Sequence, residues 1–213
     1  MAYVLEILPS LLQGATVTLQ VFSLVLILSI PLGILVAFIM QVDSKSLRWL
    51  LSIYIWVMRG TPLLLQLIFV YYILPSIGIR IDRMPAAIIA FTLNYAAYFA
   101  EIFRGGIDSI PQGQYEAAKV LKFSPLQTIQ YIILPQVTKI VLPSVFNEIM
   151  ALVKDTSLVY ALGVTDLILV SRTAANRDAS LAPMFVAGAI YLIMIGVVTL
   201  VSRKVEQKYA YDR

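Results

Sequence analysis

The 213-residue sequence is 60% hydrophobic and 13% charged, and it contains neither cysteine nor histidine. Soluble domains are about half apolar and about a quarter charged, so this composition predicts a protein whose solvent is lipid. The missing residue types exclude disulfides, thiol chemistry, histidine-based triads and imidazole metal ligands, and we expect no metal site. The net charge of +4 fits the basic cytoplasmic loops of membrane proteins, so nucleic acid is not expected as a partner.

The first half of the chain contains three predicted membrane-spanning regions. Residues 11–40 carry no charge, and because residues 1–10 lack Lys and Arg they predict a retained helix rather than a signal peptide. The region 49–77 is interrupted at 58–62, which leaves two interpretations. Either an interfacial helix precedes a span that starts near Thr61, or the span contains Arg59, which snorkels or pairs. Residues 85–103 predict the third span.

The second half predicts two further spans and one irregular segment. Residues 132–153 form a weak span, because two prolines and two ionisable side chains interrupt it. Residues 158–170 are too few to cross a bilayer and predict a re-entrant or interfacial helix. Residues 183–201 are the last span. We therefore expect an all-α integral membrane protein with about five transmembrane helices, as a single domain over residues 1–213.

Counts of lysine and arginine orient the predicted spans. With the N-terminus outside, nine basic residues fall in the inner segments 41–52, 104–131 and 202–213, and five fall in the outer segments. Because basic residues accumulate on the cytoplasmic side, this count favours an outer N-terminus and an inner C-terminus.

Residues 104–131 form the longest polar-rich segment between predicted spans. A first short helix is expected from about Gln112 to Leu121. Ser124, followed by Pro125 and with Gln127 three residues later, predicts a capping box that starts a second helix. Two ordered helices would form a rigid knob that a cytoplasmic partner can grip, and the alternative is a loop that is merely well ordered.

The same loop resembles the EAA motif of permease subunits of type I ABC importers. The family pattern of Glu-Ala-Ala and a later apolar-Pro segment matches Glu116-Ala117-Ala118 and Ile133-Leu134-Pro135-Gln136. The family has glycine where this chain has Lys122, and because glycine permits a left-handed backbone, we expect the turn to use another geometry. Four further segments are similar to the polar amino acid branch, including its arginine-type permeases: 14–19 (GATVTL), 59–63 (RGTPL), 97–107 (AYFAEIFRGGI) and 154–158 (KDTSL).

The resemblance implies a type I ABC importer permease fold in a bacterial inner membrane and ATP-driven uptake of polar amino acids by alternating access. The implied partners are a second permease chain (identical or paralogous), two cytoplasmic P-loop ATPase subunits and an extracytoplasmic amino acid-binding protein. None of the ten glycines is followed by Lys, so this chain has no P-loop, and ATP and Mg are expected on the ATPase. We therefore do not expect an enzyme. The residues implied to couple to the ATPase are Gln114, Glu116, Ala117, Ala118 and Lys119.

Two groups of polar residues are candidates for binding the substrate. Glu101, Asn94 and Tyr98 share one face of the third span, which suits an amino acid ligand, although Glu101 can instead pair with Arg104. A second group follows the weak span: Thr156 and Ser157 can cap a short helix and aim its N-terminus at a carboxylate, while Asp155 meets a cation. The alternative is a helix cap beside a local Lys154–Asp155 pair.

Further ionisable residues have less specific interpretations. We expect Glu148 to pair with Lys139 or to line an interface, and Arg59 to contact lipid phosphates or a partner chain. Two acids along a polar path predict a basic substrate, namely arginine, lysine or histidine.

Two other classes remain open from the sequence. An autonomous secondary transporter or channel needs no ATPase, but it leaves the Glu116 loop unexplained. A membrane-embedded enzyme would have to use a dyad such as Lys154 and Ser157, and no glycine-rich nucleophile turn accompanies them.

Overall fold

The structure is a computed structural model that describes residues 2–209, and every regular element within that range is helical. The α-helices are α1 (Ala2–Ile39), α2 (Lys45–Gly60), α3 (Leu63–Ile68), α4 (Arg83–Asp108), α5 (Gln112–Val120), α6 (Pro125–Thr128), α7 (Leu134–Asp155), α8 (Leu167–Arg177) and α9 (Ala182–Tyr209). Two π-turns (Phe69–Ile73 and Ile129–Ile133) and two 3₁₀ segments (Leu74–Ile77 and Thr156–Leu162) extend them. Within residues 2–209, four helical runs are long and apolar enough to cross a membrane, or five if α2 and the bent run Leu63–Ile77 that follows it count as one span.

The chain bends sharply between α2 and α3, close to Arg59. The two helices meet at 106°, and Thr61 is extended, as expected for a residue that precedes a proline. Because Pro62 has no N–H, the carbonyl of Met58 loses its helical donor. The side-chain amides of Gln66 and Asn94 donate to that carbonyl at 2.9 and 2.8 Å. A new helix thus starts just after the interruption at 58–62.

The predicted span at 132–153 is present, but it is only the middle part of a longer helical run. The helical run starts inside the loop at Pro125 and continues to Leu162. The capping box at Ser124 is present, but the helix it starts passes through the π-turn directly into α7. Pro135 directly follows the π-turn, a widened turn in which the N–H of Leu134 donates to the carbonyl of Ile129 five residues back, and the helix continues past it. The loop therefore contains one separate short helix, α5, rather than two.

The prediction of a single short helix over residues 158–170 is also wrong. The segment is divided at Gly163, which has a left-handed backbone with φ 73°. The part before Gly163 is the 3₁₀ continuation of α7. The part after it belongs to α8, whose N-cap is Asp166, a side chain that accepts a hydrogen bond from the Leu169 N–H at 2.9 Å.

Helix α4 lies at the centre of the bundle and packs most extensively against α1. The backbones approach closely at Gly33, where an added Cβ would lie 2.6 Å from Cβ of Phe99 and 3.0 Å from the carbonyl of Ala96. The main apolar core surrounds Phe91 and Phe99 of α4 and also includes Leu152 and Val159. This packing fixes α4, which carries Asn94, Tyr98 and Glu101.

Hydrogen bonds sort the connecting segments into two ends of the bundle. At one end, Tyr3 Oη donates to Asp178 at 2.7 Å and Arg83 donates to the carbonyl of Gly163 at 3.3 Å. At the other, Gln41 Nε2 donates to Asp108 at 3.3 Å. We call the latter, with residues 41–48 and 104–128, the loop end. This division agrees with the segments grouped together by the lysine and arginine counts.

Candidate functional site: a polar cavity and a helical loop

Apolar packing anchors the N-terminal end of α5 to the body of the chain at the loop end. Ile110 is buried against Ile133, Val137 and Val141 of the run that forms α7. Ala118 of α5 is fully buried. Tyr115 lies near the end of α4, where burial and then the Asp108 carboxylate raise the pKa of its hydroxyl.

The residues predicted to couple to an ATPase divide into two sets. Gln114, Glu116, Ala117 and Lys119 are exposed, so a docking protein can reach them. Ala118 faces the body of the chain, and its small side chain lets α5 lie close to that body. Ala118 therefore packs within this chain, and its coupling role stays a prediction.

Lys122 adopts the conformation that the sequence argument had excluded. Its φ is +59°, in the left-handed region. Its N–H donates to the carbonyl of Lys119, and the N–H of Phe123 donates to that of Ala118, both at 3.0 Å. These two bonds form the Schellman motif, in which the left-handed position is usually glycine. The expectation of another turn geometry is wrong, because the hydrogen-bonded cap holds a non-glycine residue in the glycine conformation.

A polar cavity of about 660 Å³ lies between the α2–α3 bend, α4 and α7. Of the residues predicted to bind substrate, Asn94, Tyr98 and Asp155 line it. Asn94 Nδ2 is already engaged with Met58 O and with Gln66 Oε1 at 3.0 Å. Asp155 Oδ2 accepts a hydrogen bond from Tyr95 Oη at 2.8 Å.

Three other predicted residues lie outside the cavity wall. Glu101 forms a bidentate ion pair with Arg104, with N–O distances of 2.9 and 2.7 Å, as the alternative interpretation expects. Thr156 is fully buried, and its hydroxyl donates to the carbonyl of Val153 at 2.7 Å. Thr156 and Ser157 continue α7 as a 3₁₀ segment, so they cap no new helix and present no positive N-terminus. The sequence predicts a span that ends at Val153 before a separate short helix, whereas α7 and its 3₁₀ continuation run without a break to Leu162.

The cavity is also lined by three ionisable residues that the candidate set omitted: Arg59, Tyr95 and Glu148. Glu148 is seven residues before Asp155 on α7, which puts both carboxylates on one helical face. That spacing was readable from the sequence, but the span was expected to end at Val153, before Asp155. Arg59 ends α2, with its guanidinium 5.3 Å from the centre of the Tyr98 ring.

The wall therefore presents one cation, two carboxylates, one amide and two phenols to a single space. A guanidinium can accept a carboxylate in a charge-assisted pair, and carboxylates can accept ammonium or guanidinium donors. Such a cavity suits a small zwitterion. Within residues 2–209 no group of three or more acidic, histidine or cysteine side chains is arranged to hold a metal ion.

A bundle of four or five apolar helices around a polar cavity, with an ordered helical loop at one end, is the architecture of a membrane permease. The chain belongs to the family of binding-protein-dependent transport system inner membrane components, whose profile matches residues 29–211.

Relatives with known names narrow this class. The chain is 36% identical to the arginine transport system permease protein ArtQ of Bacillus subtilis, over 94% of this chain and 92% of that protein. It is 34% identical to the L-cystine transport system permease protein TcyB of the same organism, over 94% and 86% of the two chains. A crystal structure of an amino acid ABC transporter with histidines superposes with a TM-score of 0.90, at 29% identity over 97% of both chains. The protein is thus the permease of an amino acid ABC importer with the type I fold. Of the classes left open by the sequence, the importer is therefore favoured over the autonomous transporter or channel.

Proposed function

We propose that this permease carries basic amino acids, such as arginine and lysine, through the cavity bounded by Arg59, Asn94, Tyr98, Glu148 and Asp155. The observation that carries the proposal is that two carboxylates on one face of α7, those of Glu148 and Asp155, line the same cavity as the guanidinium of Arg59. The ionised groups sum to one net negative charge. A basic amino acid carries one net positive charge, so it neutralises this space, whereas glutamine leaves it unbalanced and glutamate worsens the imbalance.

The groups also divide naturally between the two ends of such a substrate. Arg59 suits the α-carboxylate, and Glu148 and Asp155 suit the cationic side chain. The hydrogen bond from Tyr95 fixes the Asp155 carboxylate and leaves its other oxygen for a ligand. Glu101, Thr156 and Ser157 take no direct part in this proposal, because they do not line the cavity.

The proposed cycle places the loop end in the cytoplasm and the N-terminus outside. Exposed Glu116, with Gln114, Ala117 and Lys119 beside it, docks on a P-loop ATPase that binds ATP and Mg. Two permease chains and two ATPases form the complex, and an extracytoplasmic binding protein delivers the amino acid. ATP-driven closure of the ATPase pair moves α5 together with the helices beneath it, because buried Ala118 of α5 and buried Ile110 just before it anchor α5 to the body of the chain. That movement alternates access to the cavity.

Binding to the detergent-solubilised permease–ATPase complex, without binding protein, tests the substrate class directly. We expect arginine and lysine to bind, and Asp155→Asn and Glu148→Gln each to weaken their binding at least about tenfold, because one carboxylate loses its charge. Glutamine binding should change by less than about twofold. Asp82→Asn, which removes an exposed carboxylate at the start of α4, is the matched control and should leave all affinities unchanged.

Vesicle uptake with the complete system tests the coupling loop. Glu116→Lys should abolish ATP-driven uptake while arginine binding to the complex is unaltered. If glutamine binds more tightly than arginine, or if Asp155→Asn has no larger effect than Asp82→Asn, the basic substrate is wrong although the importer class stands.

A further inference from the structure

Three charged residues of α4, Glu101, Arg104 and Asp108, form a chain of ion pairs that runs from beside Arg59, which lines the cavity, to the loop end. Arg104 bonds Glu101 on one side and Asp108 on the other, with its Nη1 2.7 Å from Asp108 Oδ2. The spacings of three and four residues put all three on one face of the helix. Gln41 of α1 adds a hydrogen bond to Asp108 at the loop end. At the cavity end, Glu101 Oε1 lies 3.7 Å from Nη1 of Arg59.

The two arginines hold Glu101 very unequally. Arg104 makes two contacts of 2.9 and 2.7 Å, the range of strong charge-assisted hydrogen bonds. The contact from Arg59 is a single one at 3.7 Å, too long for a hydrogen bond. Arg59 is therefore held by electrostatic attraction to Glu101 and by the face of Tyr98 rather than by directed bonds.

This asymmetry makes Arg59 free to exchange partners. If a ligand carboxylate enters the cavity, Arg59 can turn to it without breaking a hydrogen bond to Glu101. Glu101 remains neutralised by Arg104, so the exchange leaves no uncompensated charge behind. Glu101 and a ligand carboxylate thus compete for one guanidinium, and Arg104 sets how strongly Glu101 competes.

We propose that Glu101 and Arg104 are positioning residues. Glu101, neutralised by Arg104, keeps Arg59 beside the cavity without a hydrogen bond, so that Arg59 can bind the α-carboxylate of the transported amino acid. The inference rests on the proposed function only in using the cavity as the substrate site, and it holds for any amino acid that has a free carboxylate. It assigns Glu101 to recognition of the carboxylate through Arg59, rather than to the cationic end of the substrate.

The test compares each amino acid with its α-carboxamide, which lacks the carboxylate charge. Binding of L-arginine and L-argininamide to the permease–ATPase complex gives a ratio of affinities, acid over amide, for each variant. Glu101→Gln removes the competing carboxylate, so the ratio should rise about fivefold. Arg104→Gln leaves Glu101 to Arg59, so the ratio should fall by a similar factor. Arg59→Gln should bring the ratio close to one.

The opposite signs separate positioning from simple packing. Loss of structure in either variant would weaken acid and amide alike and leave the ratio unchanged, which would overturn the proposal, as would a shift of both ratios in one direction. Glu101→Asp keeps the charge but shortens the side chain, and it should give a ratio between those of the wild type and Glu101→Gln.

The outcome is distinguishable from failure of the basic-substrate proposal. If the complex binds glutamine instead of arginine, the same ratios are measured with L-glutamine and L-glutaminamide. Opposite shifts with that pair would support the positioning role while rejecting a basic substrate.

Discussion

Replacing Lys122 by glycine should stabilise the end of α5, because this lysine occupies a left-handed position in a Schellman motif. Its φ of +59° puts Cβ close to the following carbonyl, which costs a non-glycine residue about 1–2 kcal/mol. Glycine escapes this strain but gains freedom in the unfolded chain, worth about 0.4–1 kcal/mol. The net expectation is a gain of roughly 0.5–1 kcal/mol in the local opening free energy.

Hydrogen exchange of the capping amides measures that opening directly. The reporters are the N–H groups of residue 122 and Phe123, which bond to the carbonyls of Lys119 and Ala118. Lys119→Gly is the matched control: it makes the same chemical change inside the helix, where glycine destabilises by roughly 0.5–1 kcal/mol. Slower exchange in Lys122→Gly and faster exchange in Lys119→Gly are expected. If both variants exchange faster than the wild type, the strain at Lys122 is refuted.

Two further predictions concern the packing and protonation of the fold. Gly33→Ala should destabilise the protein by about 1–3 kcal/mol, because its new Cβ would overlap Phe99. An added Cβ at Gly188 meets nothing within 4 Å, so Gly188→Ala should be neutral or slightly stabilising. Thermal melting in detergent compares the two variants, and equal melting temperatures would contradict the close approach at Gly33. Burial raises the pKa of Asp166 from 3.8 to about 6. The native state therefore binds this proton more tightly than the unfolded chain does, so the free energy of unfolding falls as pH rises from about 4 to about 6, by about 3 kcal/mol at most. Asp166→Asn keeps the N-cap and should lose this part of the pH dependence in melting experiments between those values.

The sequence was most informative where chemistry is local. The capping box at Ser124 depends on residues within one turn, and it is present as expected. The face shared by Asn94, Tyr98 and Glu101 follows from helical spacing alone. Spacing also offered Arg104 as the alternative partner of Glu101, and that pair is present. It did not give the partner of Asn94, which donates to the carbonyl left free by Pro62.

Errors arose where a local signal was overridden by the rest of the chain. Prolines at 135 and 143 suggest helix breaks, but the π-turn and the packing of α7 carry the helix through them. The helix also continues past the expected end at Val153, which puts Glu148 and Asp155 on one face. At Lys122 the hydrogen bonds of the Schellman motif outweigh the intrinsic preference against a left-handed lysine.

The sequence by itself determined that this is an integral membrane protein, that its regular structure is helical, and that one ordered loop resembles an ATPase-docking element. These properties follow from composition, periodicity and short motifs, which act over a few residues. Only the tertiary structure decided which polar groups share the cavity, because Arg59, Asn94, Glu148 and Asp155 come from three helices that are distant in the chain. They meet because of the 106° bend after α2 and the close packing of α1 on α4, and neither of these features is encoded in a local sequence pattern.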